Sequence, residues 1–353
     1  MRDASAVLPP SVATDSTLGF ASSGTSPGAA PRVHLLGAGK VGRAFLEQVQ
    51  GAGLRVVAVS DSGATVHARD GLDPARVVRH KAAGGALRDL PGAEPLPELL
   101  ALRLVPGDVV VDATATAART GEGALQRARL ILREGRSLAC AAKDALALGA
   151  AELLALAPGR LGVDAALGGT GRRLLAERAA LAAHTRALTL VASVSTTVIL
   201  GALERGASLA EALDGARRQG YLEGDPTLDL DGSDAACKLA IVVGLLFGVA
   251  NDPATIARED LRHLDLERVR WRARHGRTTR LVAEAERGGP LRVHYAELAR
   301  TSPLAAPPDR VLYGYDQGRG QLRLHVGLGV GPRATAAALL EDVRRLARQE
   351  VAP

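Results

Sequence analysis

A glycine-rich turn between a strand pattern and a helix pattern constrains the fold of this chain more than any other feature. Residues 37–42 read G-A-G-K-V-G, after the apolar run 33–36 and before the helical stretch 43–50. In G-x-G-x-x-G the first glycine permits a tight turn, the second lets the backbone approach a pyrophosphate, and the third lets helix and strand pack closely. The turn therefore predicts a dinucleotide site. Its predicted contacts are Gly37, Gly39, Lys40, Val41 and Gly42.

An acid at the end of the next strand pattern bears on which dinucleotide binds. Residues 54–60 form that pattern and Asp61 follows it. An acid about 20 residues beyond the glycines binds the adenosine ribose hydroxyls and favours NAD. Asp61 could equally cap a turn, and Lys40 with the basic surface keeps NADP open. We therefore predict NADP or NAD as the cofactor.

The order of strand and helix patterns predicts the architecture. Further strand patterns lie at 108–114, 137–141 and 161–167, with helical segments between them. This alternation predicts an α/β fold with a Rossmann-type, doubly wound parallel sheet. From about residue 187 strand and helix patterns no longer alternate in this way, which predicts a second, α+β domain. We expect a disordered tail (1–30), a dinucleotide domain (31–160, completed by a helix at 329–353) and a substrate domain (161–328).

Composition excludes several classes of protein. Lysine and arginine exceed the acids by six charges, but aromatic residues make up only 2%, too few for base stacking, so we expect no nucleic-acid partner. Two cysteines, Cys140 and Cys237, exclude a disulfide scaffold and indicate a reduced cytoplasm. No uncharged apolar run reaches membrane-spanning length, so we expect a soluble protein without a membrane partner.

Arginines alternate around the single tryptophan. Arg268, Arg270, Arg272 and Arg274 flank Trp271. A strand would place all four on one face, as in a nucleic-acid stripe. With one aromatic residue and a short run, we predict a solvated edge strand instead.

Acids and a lysine gather before an apolar helix pattern. Residues 220–238 read G-Y-L-E-G-D-P-T-L-D-L-D-G-S-D-A-A-C-K, and Asp234 and Lys238 share a helix face. A lysine one turn into so apolar a helix costs free energy unless it is paired or functional. Glu223 and Asp229 lie in the loop just before it. This pattern favours an amino-acid site, and the alternative is a surface ion pair beside a solvated acidic turn.

Here the chain resembles a known family. Residues 220–238 are similar to the signature of homoserine dehydrogenase, and the blocks 37–42, 108–114, 138–145 and 327–342 resemble other segments of it in the same order. The likeness covers nearly all of residues 32–348. It implies a short form, without a kinase or a C-terminal regulatory domain.

The resemblance implies an activity, an assembly and roles for residues. The family reduces L-aspartate 4-semialdehyde to L-homoserine with NAD(P)H, in the biosynthesis of threonine and methionine, and forms homodimers. It implies that Lys238 handles the proton of the reacting oxygen and that Asp234 binds substrate and orients Lys238. Glu223 and Asp229 match substrate-binding acids, and Lys143 a second lysine near nicotinamide and substrate. Further positions resemble cofactor contacts: Thr114, Lys143, Gly220 and Gly331.

The chain departs from the family in two segments near the substrate end. Residues 168–173 lack the family's proline, and Val194 and Val198 replace two asparagines. These changes keep open a related dehydrogenase of another amino or oxo acid. A non-catalytic dinucleotide-binding sensor is the other alternative. The resemblance also implies a sodium ion, for which the matching positions are Asp164, Leu167, Gly169 and Gly171.

Overall fold

The computed structural model describes residues 30–349, except 95, 97, 106, 117–120, 223–225, 306 and 329–330. The predicted disordered tail lies outside the described residues up to position 29. Among the residues described, no helix is long and apolar enough to cross a membrane.

The first half of the chain builds a seven-stranded sheet, sheet A, in the order β4-β3-β2-β1-β5-β6-β7. Its strands are β1 (Arg32–Leu36), β2 (Arg55–Ser60), β3 (Thr65–His67), β4 (Ala93–Glu94), β5 (Val109–Asp112), β6 (Ser137–Cys140) and β7 (Leu161–Gly162). The run from β2 to β7 is parallel, and β3 and β4 add an antiparallel edge. The central strands are apolar and buried, as strands between two helical layers must be. This confirms the predicted Rossmann-type sheet.

Twelve α-helices are described, and most of them cover the two sheets. They are α1 (Lys40–Gln48), α2 (Pro74–Ala82), α3 (Glu98–Leu104), α4 (Glu122–Arg133), α5 (Asp144–Leu156), α6 (Gly171–His184), α7 (Val194–Glu204), α8 (Leu209–Arg218), α9 (Thr227–Leu230), α10 (Ser233–Phe247), α11 (Leu266–Arg274) and α12 (Gly331–Gln349). The last helix returns to sheet A, where Leu339 and Val343 share a buried apolar cluster with Phe45 and Leu46 of α1. The domain boundaries stay a prediction.

The second half builds a six-stranded sheet, sheet B, in the order β13-β12-β8-β10-β11-β9. Its strands are β8 (Ala187–Val191), β9 (Ala257–Arg258), β10 (Arg277–Glu286), β11 (Leu291–Ala299), β12 (Val311–Asp316) and β13 (Leu322–Gly327). All pairs are antiparallel except β9 with β11. The second, sheet-containing domain is therefore as predicted.

Helices α5 and α10 connect the two halves. Helix α10 is apolar and buried along almost its whole length, as its sequence predicts. It passes so close to α5 that a Cβ on Gly244 would lie 3.1 Å from the Cβ of Ala150. This packing places the start of α5, at Lys143, beside the start of α10, at Asp234.

The predicted strand at the arginine run is wrong, because residues 266–274 form helix α11. Asp265 caps this helix by accepting the backbone N–H of Arg268, and Glu267 pairs with Arg270 one turn on. Arg272 is buried against Glu297, at 3.0 Å. Helical spacing therefore disperses the guanidinium groups instead of aligning them on one face.

Candidate active site

The glycine turn opens onto a cleft of about 800 Å³ at the carboxyl ends of the sheet A strands. A Cβ on Gly42 would lie 1.9 Å from the carbonyl oxygen of Gly37, so helix α1 can pack here only through a glycine. Gly39 faces open space, with nothing within 4 Å of its Cβ position. No side chain among the described residues caps α1, which leaves its first amides available to an anion. These residues fit a dinucleotide, and we call this site the dinucleotide cleft.

Asp61 lies in the dinucleotide cleft with a partner that the sequence did not reveal. Its Oδ1 accepts the N–H of Gly63 at 2.9 Å, and its Oδ2 lies 3.1 Å from Nζ of Lys81, on α2. Arg43 donates to the carbonyl oxygen of Lys81 at 3.3 Å. Lys40 and Arg43 also line the cleft. The carboxylate expected to bind the ribose is therefore paired with one cation, and two more cations line the same cleft.

Thr114 lies where the resemblance placed it, on the wall of the cleft. Its hydroxyl donates to Oδ1 of Asp112 at 2.6 Å, at the end of β5. Arg127 of α4 donates to the other oxygen of Asp112 at 3.2 Å and to Glu98 at 3.1 Å. This network holds Thr114, just after β5, on the cleft wall.

Two lysines meet one carboxylate where α5 and α10 come together. Nζ of Lys143 lies 3.2 Å from Oδ1 of Asp234, and Nζ of Lys238 lies 2.7 Å from Oδ2. Lys238 is only 9% exposed and also donates to the carbonyl oxygen of Ala192 at 2.6 Å. We call Lys143, Asp234 and Lys238 the lysine–carboxylate cluster. The alternative of a solvated surface pair is therefore wrong.

The charges of the cluster stabilise one another. Burial alone would raise the pKa of Asp234, but the two ammonium groups bring it well below its usual range. Burial acts to lower the pKa of Lys143, and the Asp234 carboxylate outweighs burial, so the pKa is raised. Asp234 and Lys143 are therefore both charged at neutral pH.

Asp229 lies beside the cluster and is held by helix α7. The hydroxyl of Ser195 donates a short hydrogen bond to Oδ1 of Asp229, and the Thr196 hydroxyl donates to its backbone carbonyl oxygen at 3.0 Å. Burial and the nearby Asp234 raise the pKa of Asp229 to about 6, although the hydrogen bond from Ser195 acts the other way. Asp229 thus titrates nearer neutral pH than Asp234 does.

Other predicted residues are less closely tied to either site. Glu223 lies outside the described residues. Val41 is in the first turn of α1, Gly220 follows α8 and Gly331 begins α12, and none of them is among the residues that line the dinucleotide cleft. Their roles, like those of the other site residues, stay predictions.

The two cysteines are buried. Burial raises the pKa of Cys237 to about 12 and that of Cys140 well above its usual value. Neither thiol therefore provides a thiolate nucleophile at neutral pH.

The positions expected to bind sodium form one closed turn between β7 and α6. Oδ1 of Asp164 accepts the N–H of Arg172 at 2.9 Å, and the carbonyl oxygen of Leu167 accepts the Thr170 hydroxyl at 2.8 Å. Gly169 lies in the same turn and Gly171 begins α6, and the Gly169 N–H donates to the carbonyl oxygen of Asp164 at 2.8 Å. Internal hydrogen bonds thus already reach Oδ1 of Asp164 and the carbonyl oxygens of Asp164 and Leu167. The sodium site stays a prediction.

Lys81, Ala192 and Ser195 are the site residues that sequence reasoning missed. Lys81 and Asp61 are on different elements, and the carbonyl of Ala192 has no side-chain signature. Ser195 lies inside the segment recognised as a departure from the family, and that departure was the available signal.

A dinucleotide cleft next to paired ammonium groups is what hydride exchange with a carbonyl carbon requires, so fold and site define an NAD(P)-dependent oxidoreductase. Residues 173–343 match the family model of homoserine dehydrogenase. The chain belongs to the homoserine dehydrogenase family. Residues 22–142 also match the model of glutamate/leucine/phenylalanine/valine dehydrogenase, a stretch that ends before Lys143 and includes none of the lysine–carboxylate cluster.

Individual relatives are similar to this protein over most of the chain. An NAD(+)-dependent homoserine dehydrogenase of Pseudomonas canavaninivorans is 27% identical over 88% of this chain and 95% of its own length. A homoserine dehydrogenase of Methanocaldococcus jannaschii is 26% identical over 82% and 88%. The structure of a hyperthermophilic archaeal homoserine dehydrogenase in complex with NADPH superposes with a TM-score of 0.74 at 23% identity, over 90% of this chain and 98% of that one. A homoserine dehydrogenase from Thermoplasma acidophilum gives 0.72 at 22% identity, over 90% and 99%.

Proposed function

We propose that this protein catalyses the reversible, NAD(P)-dependent reduction of L-aspartate 4-semialdehyde to L-homoserine. The observation that carries the proposal is the lysine–carboxylate cluster, in which Asp234 joins two lysines from different halves of the molecule. A sensor that only binds a dinucleotide has no need for this buried charge, whose desolvation is costly. Family membership supplies the substrate.

The residues of the cluster take separate roles in the proposal. When bound, the nicotinamide cofactor supplies the hydride. Reduction of an aldehyde leaves negative charge on its oxygen, which the ammonium of Lys238 stabilises and protonates. Asp234 fixes the position of Lys238 through their ion pair, and Lys143 adds a second positive charge. Asp229, with Glu223 implied by the resemblance, binds the amino-acid end of the substrate.

We further propose that the dinucleotide cleft accepts both NADP and NAD. An acid that binds ribose hydroxyls must be free to accept them, and Asp61 is instead paired with Lys81. Lys81, Arg43 and Lys40 can bind the additional phosphate of NADP. The NAD(+)-dependent relative and the NADPH complex of another support both cofactors.

The Lys81→Ala variant tests cofactor choice by binding. We expect the affinity for NADP⁺ to fall about tenfold or more, the usual cost of a charged hydrogen bond, with little change for NAD⁺. Arg79→Ala is the matched control, because Arg79 lies on the same helix but pairs with Asp73 and is 72% exposed. Equal losses for both cofactors would contradict the assignment of Lys81 to the phosphate.

We also propose a cytoplasmic homodimer. Strand β13 is an edge of sheet B, and its side chains Leu322 and Val326 are 43% and 53% exposed. An apolar edge strand of this kind is suited to a two-fold contact with a second copy. Light scattering of the purified protein measures the assembly, and Val326→Arg should shift it towards monomer. An assembly unaffected by Val326→Arg would place the contact elsewhere.

The direct test is homoserine-dependent reduction of NAD⁺ and of NADP⁺, assayed separately with purified protein. We expect turnover with both cofactors. If cofactor binds but homoserine does not react, the proposed substrate is wrong, and the changes at 168–173 and at Val194 and Val198 would then direct the search to other amino and oxo acids.

A further inference from the structure

We propose that Ser195 is a positioning residue of the active site, which holds Asp229 against the lysine–carboxylate cluster. The proposal rests on the proposed function, because it concerns how the substrate end of the same site is kept in order. It assigns a role to a residue in the segment where this chain departs from its family.

The first observation is that Asp229 lies where a carboxylate is hard to keep charged. It is half-buried on the short helix α9, and both burial and the neighbouring Asp234 favour its neutral form. The ammonium groups of Lys143 and Lys238 act in the opposite direction. Among the described residues, the ammonium groups on α5 and α10, the Asp234 carboxylate on α10 and the Ser195 hydroxyl on α7 act on the Asp229 carboxyl. Its charge therefore depends on a close balance.

The second observation is that the hydroxyl of Ser195 is held in position to donate a hydrogen bond to Asp229. Ser195 is 7% exposed, and its hydroxyl reaches Oδ1 of Asp229. Behind it, the hydroxyl of Ser193 lies 3.1 Å from Ser195 Oγ and 2.8 Å from Thr196 Oγ1. Thr196 then binds the backbone of Asp229. Both the carboxylate and the main chain of Asp229 are thus held by one helix start.

The third observation is that the same turn also holds Lys238. The carbonyl oxygen of Ala192 accepts from Nζ of Lys238 at 2.6 Å, three residues before Ser195. Residues 192–196 therefore set the distance between the lysine that handles the proton and the acid that binds the substrate. Such fixed spacing is what productive alignment of a bound substrate requires.

Charge gives this arrangement its chemical consequence. With Asp229 ionised, two ammonium groups face two carboxylates, and these four described groups carry no net charge together. An ionised Asp229 can bind the ammonium group of an amino-acid substrate, whereas a protonated Asp229 cannot. Ser195, by donating to the ionised form, extends substrate binding to lower pH.

The experiment compares the pH dependence of kcat/KM for homoserine in the wild type and in Ser195→Ala. We expect the acid limb of the profile, near pH 6 in the wild type, to move to higher pH. At pH 6.5 kcat/KM should fall about tenfold or more, mainly through KM. Ser195→Thr, which keeps the hydroxyl, should restore the wild-type profile. If Ser195→Ala does not fold, Ser195→Cys keeps the volume with a weaker donor and should shift the limb in the same direction.

Ser208→Ala is the control for a purely structural effect. Ser208 is an exposed helix cap away from the site, in a capping box with Glu211. Its loss should lower the melting temperature and leave the acid limb in place. An unshifted acid limb and unchanged KM in folded Ser195→Ala would overturn the proposal.

A carboxyl ¹³C NMR titration separates this proposal from the proposed function. The Asp229 signal, assigned by its loss in Asp229→Asn, should titrate at higher pH in Ser195→Ala than in the wild type. This measurement needs no turnover. If the wild type does not oxidise homoserine, the proposed function fails, and the titration still decides whether Ser195 controls Asp229. An identical titration in both proteins would refute the role of Ser195.

Discussion

The dinucleotide cleft and the lysine–carboxylate cluster are built from different materials. The cleft presents backbone: one turn, from Gly37 to Gly42, places amides and leaves space. The cluster presents side chains, which come from the starts of α5 and α10 and depend on a carbonyl at the end of β8. The cleft is thus local in sequence, whereas the cluster exists only after the two halves of the chain have packed together.

This difference predicts that the two sites respond differently to substitution. A backbone site tolerates changes of side chain but not the addition of a Cβ where the chain packs tightly. A side-chain site tolerates small shifts of backbone but not the loss of one charged partner, because the remaining buried charge is then uncompensated. Variants chosen in pairs can test whether the two sites respond in this way.

The largest effect is expected from Lys238→Ala. We expect kcat to fall by about 10²–10⁴-fold, the range for loss of a general acid–base group, while the affinity for NADP⁺ changes little. Steady-state kinetics and cofactor titration measure the two quantities. Asp234 still has Lys143 as an ion-pair partner in this variant. A thermal unfolding scan checks that the variant remains folded. Full activity in this variant would remove Lys238 from the mechanism.

Two glycines of the same turn should separate folding from binding. Gly42→Ala places a Cβ 1.9 Å from a backbone oxygen, so we expect it to lower the free energy of unfolding by at least about 1–3 kcal/mol and to abolish cofactor binding. Gly39→Ala meets nothing within 4 Å and should leave stability unchanged. Its methyl group, however, faces the cleft, so the Kd for NADP⁺ should rise about tenfold, or about 1.4 kcal/mol. Equal melting temperatures for the two variants would contradict the packing argument.

A smaller effect should appear in the pH dependence of stability, at the contact of helix α12 with the end of sheet A. Asp342 of α12 is fully buried, and its Oδ2 accepts the N–H of Asp164 at 2.8 Å. Burial, with the nearby Asp164 carboxylate, raises the pKa of Asp342 to about 7. Since this folded pKa exceeds the unfolded one, the folded state keeps a proton that the unfolded state releases. The resulting stabilisation is complete below about pH 4 and is lost as pH rises through 7.

Asp342→Asn removes that titration while it keeps an acceptor for the Asp164 N–H. We expect the variant to be more stable than the wild type at pH 8, by at least the about 1.4 kcal/mol that one pKa unit represents, with a much smaller gain at pH 5. Denaturant unfolding at the two pH values measures the difference. The same gain at both would show that the ionisation of Asp342 is not the cause.

Sequence patterns predicted the elements whose signal is local. The glycine turn and the apolar helix α10 are confirmed, because spacing along one element is sufficient to specify each of them. The arginine run misled, because alternation over a few residues suits a strand while Asp265 and Glu267 stabilise a helix start. Strand β10 (Arg277–Glu286) was not predicted, since polar residues at both ends obscure its apolar middle.

In the active site, too, contacts within one element were predictable and contacts between elements were not. The spacing of Asp234 and Lys238, at i and i+4 of α10, predicted their pairing, and the resemblance added Lys143. The Asp61–Lys81 pair and the contact of Ser195 with Asp229 could not be read, because each joins separate elements whose approach is decided by packing. Contacts of this kind leave no periodic trace in the sequence.

The carbonyl of Ala192 has a directional consequence. An ammonium group has three hydrogens, and among the described residues Asp234 and Ala192 take two of those on Lys238. One N–H vector is then left for a substrate oxygen, and tetrahedral geometry fixes its bearing relative to the other two. If Lys238 protonates the substrate oxygen, as proposed, the carbonyl of a bound aldehyde lies along this vector, and the ammonium group then restricts which face of the carbon is turned towards the dinucleotide. In the reverse reaction the proton of the alcohol leaves along the same line.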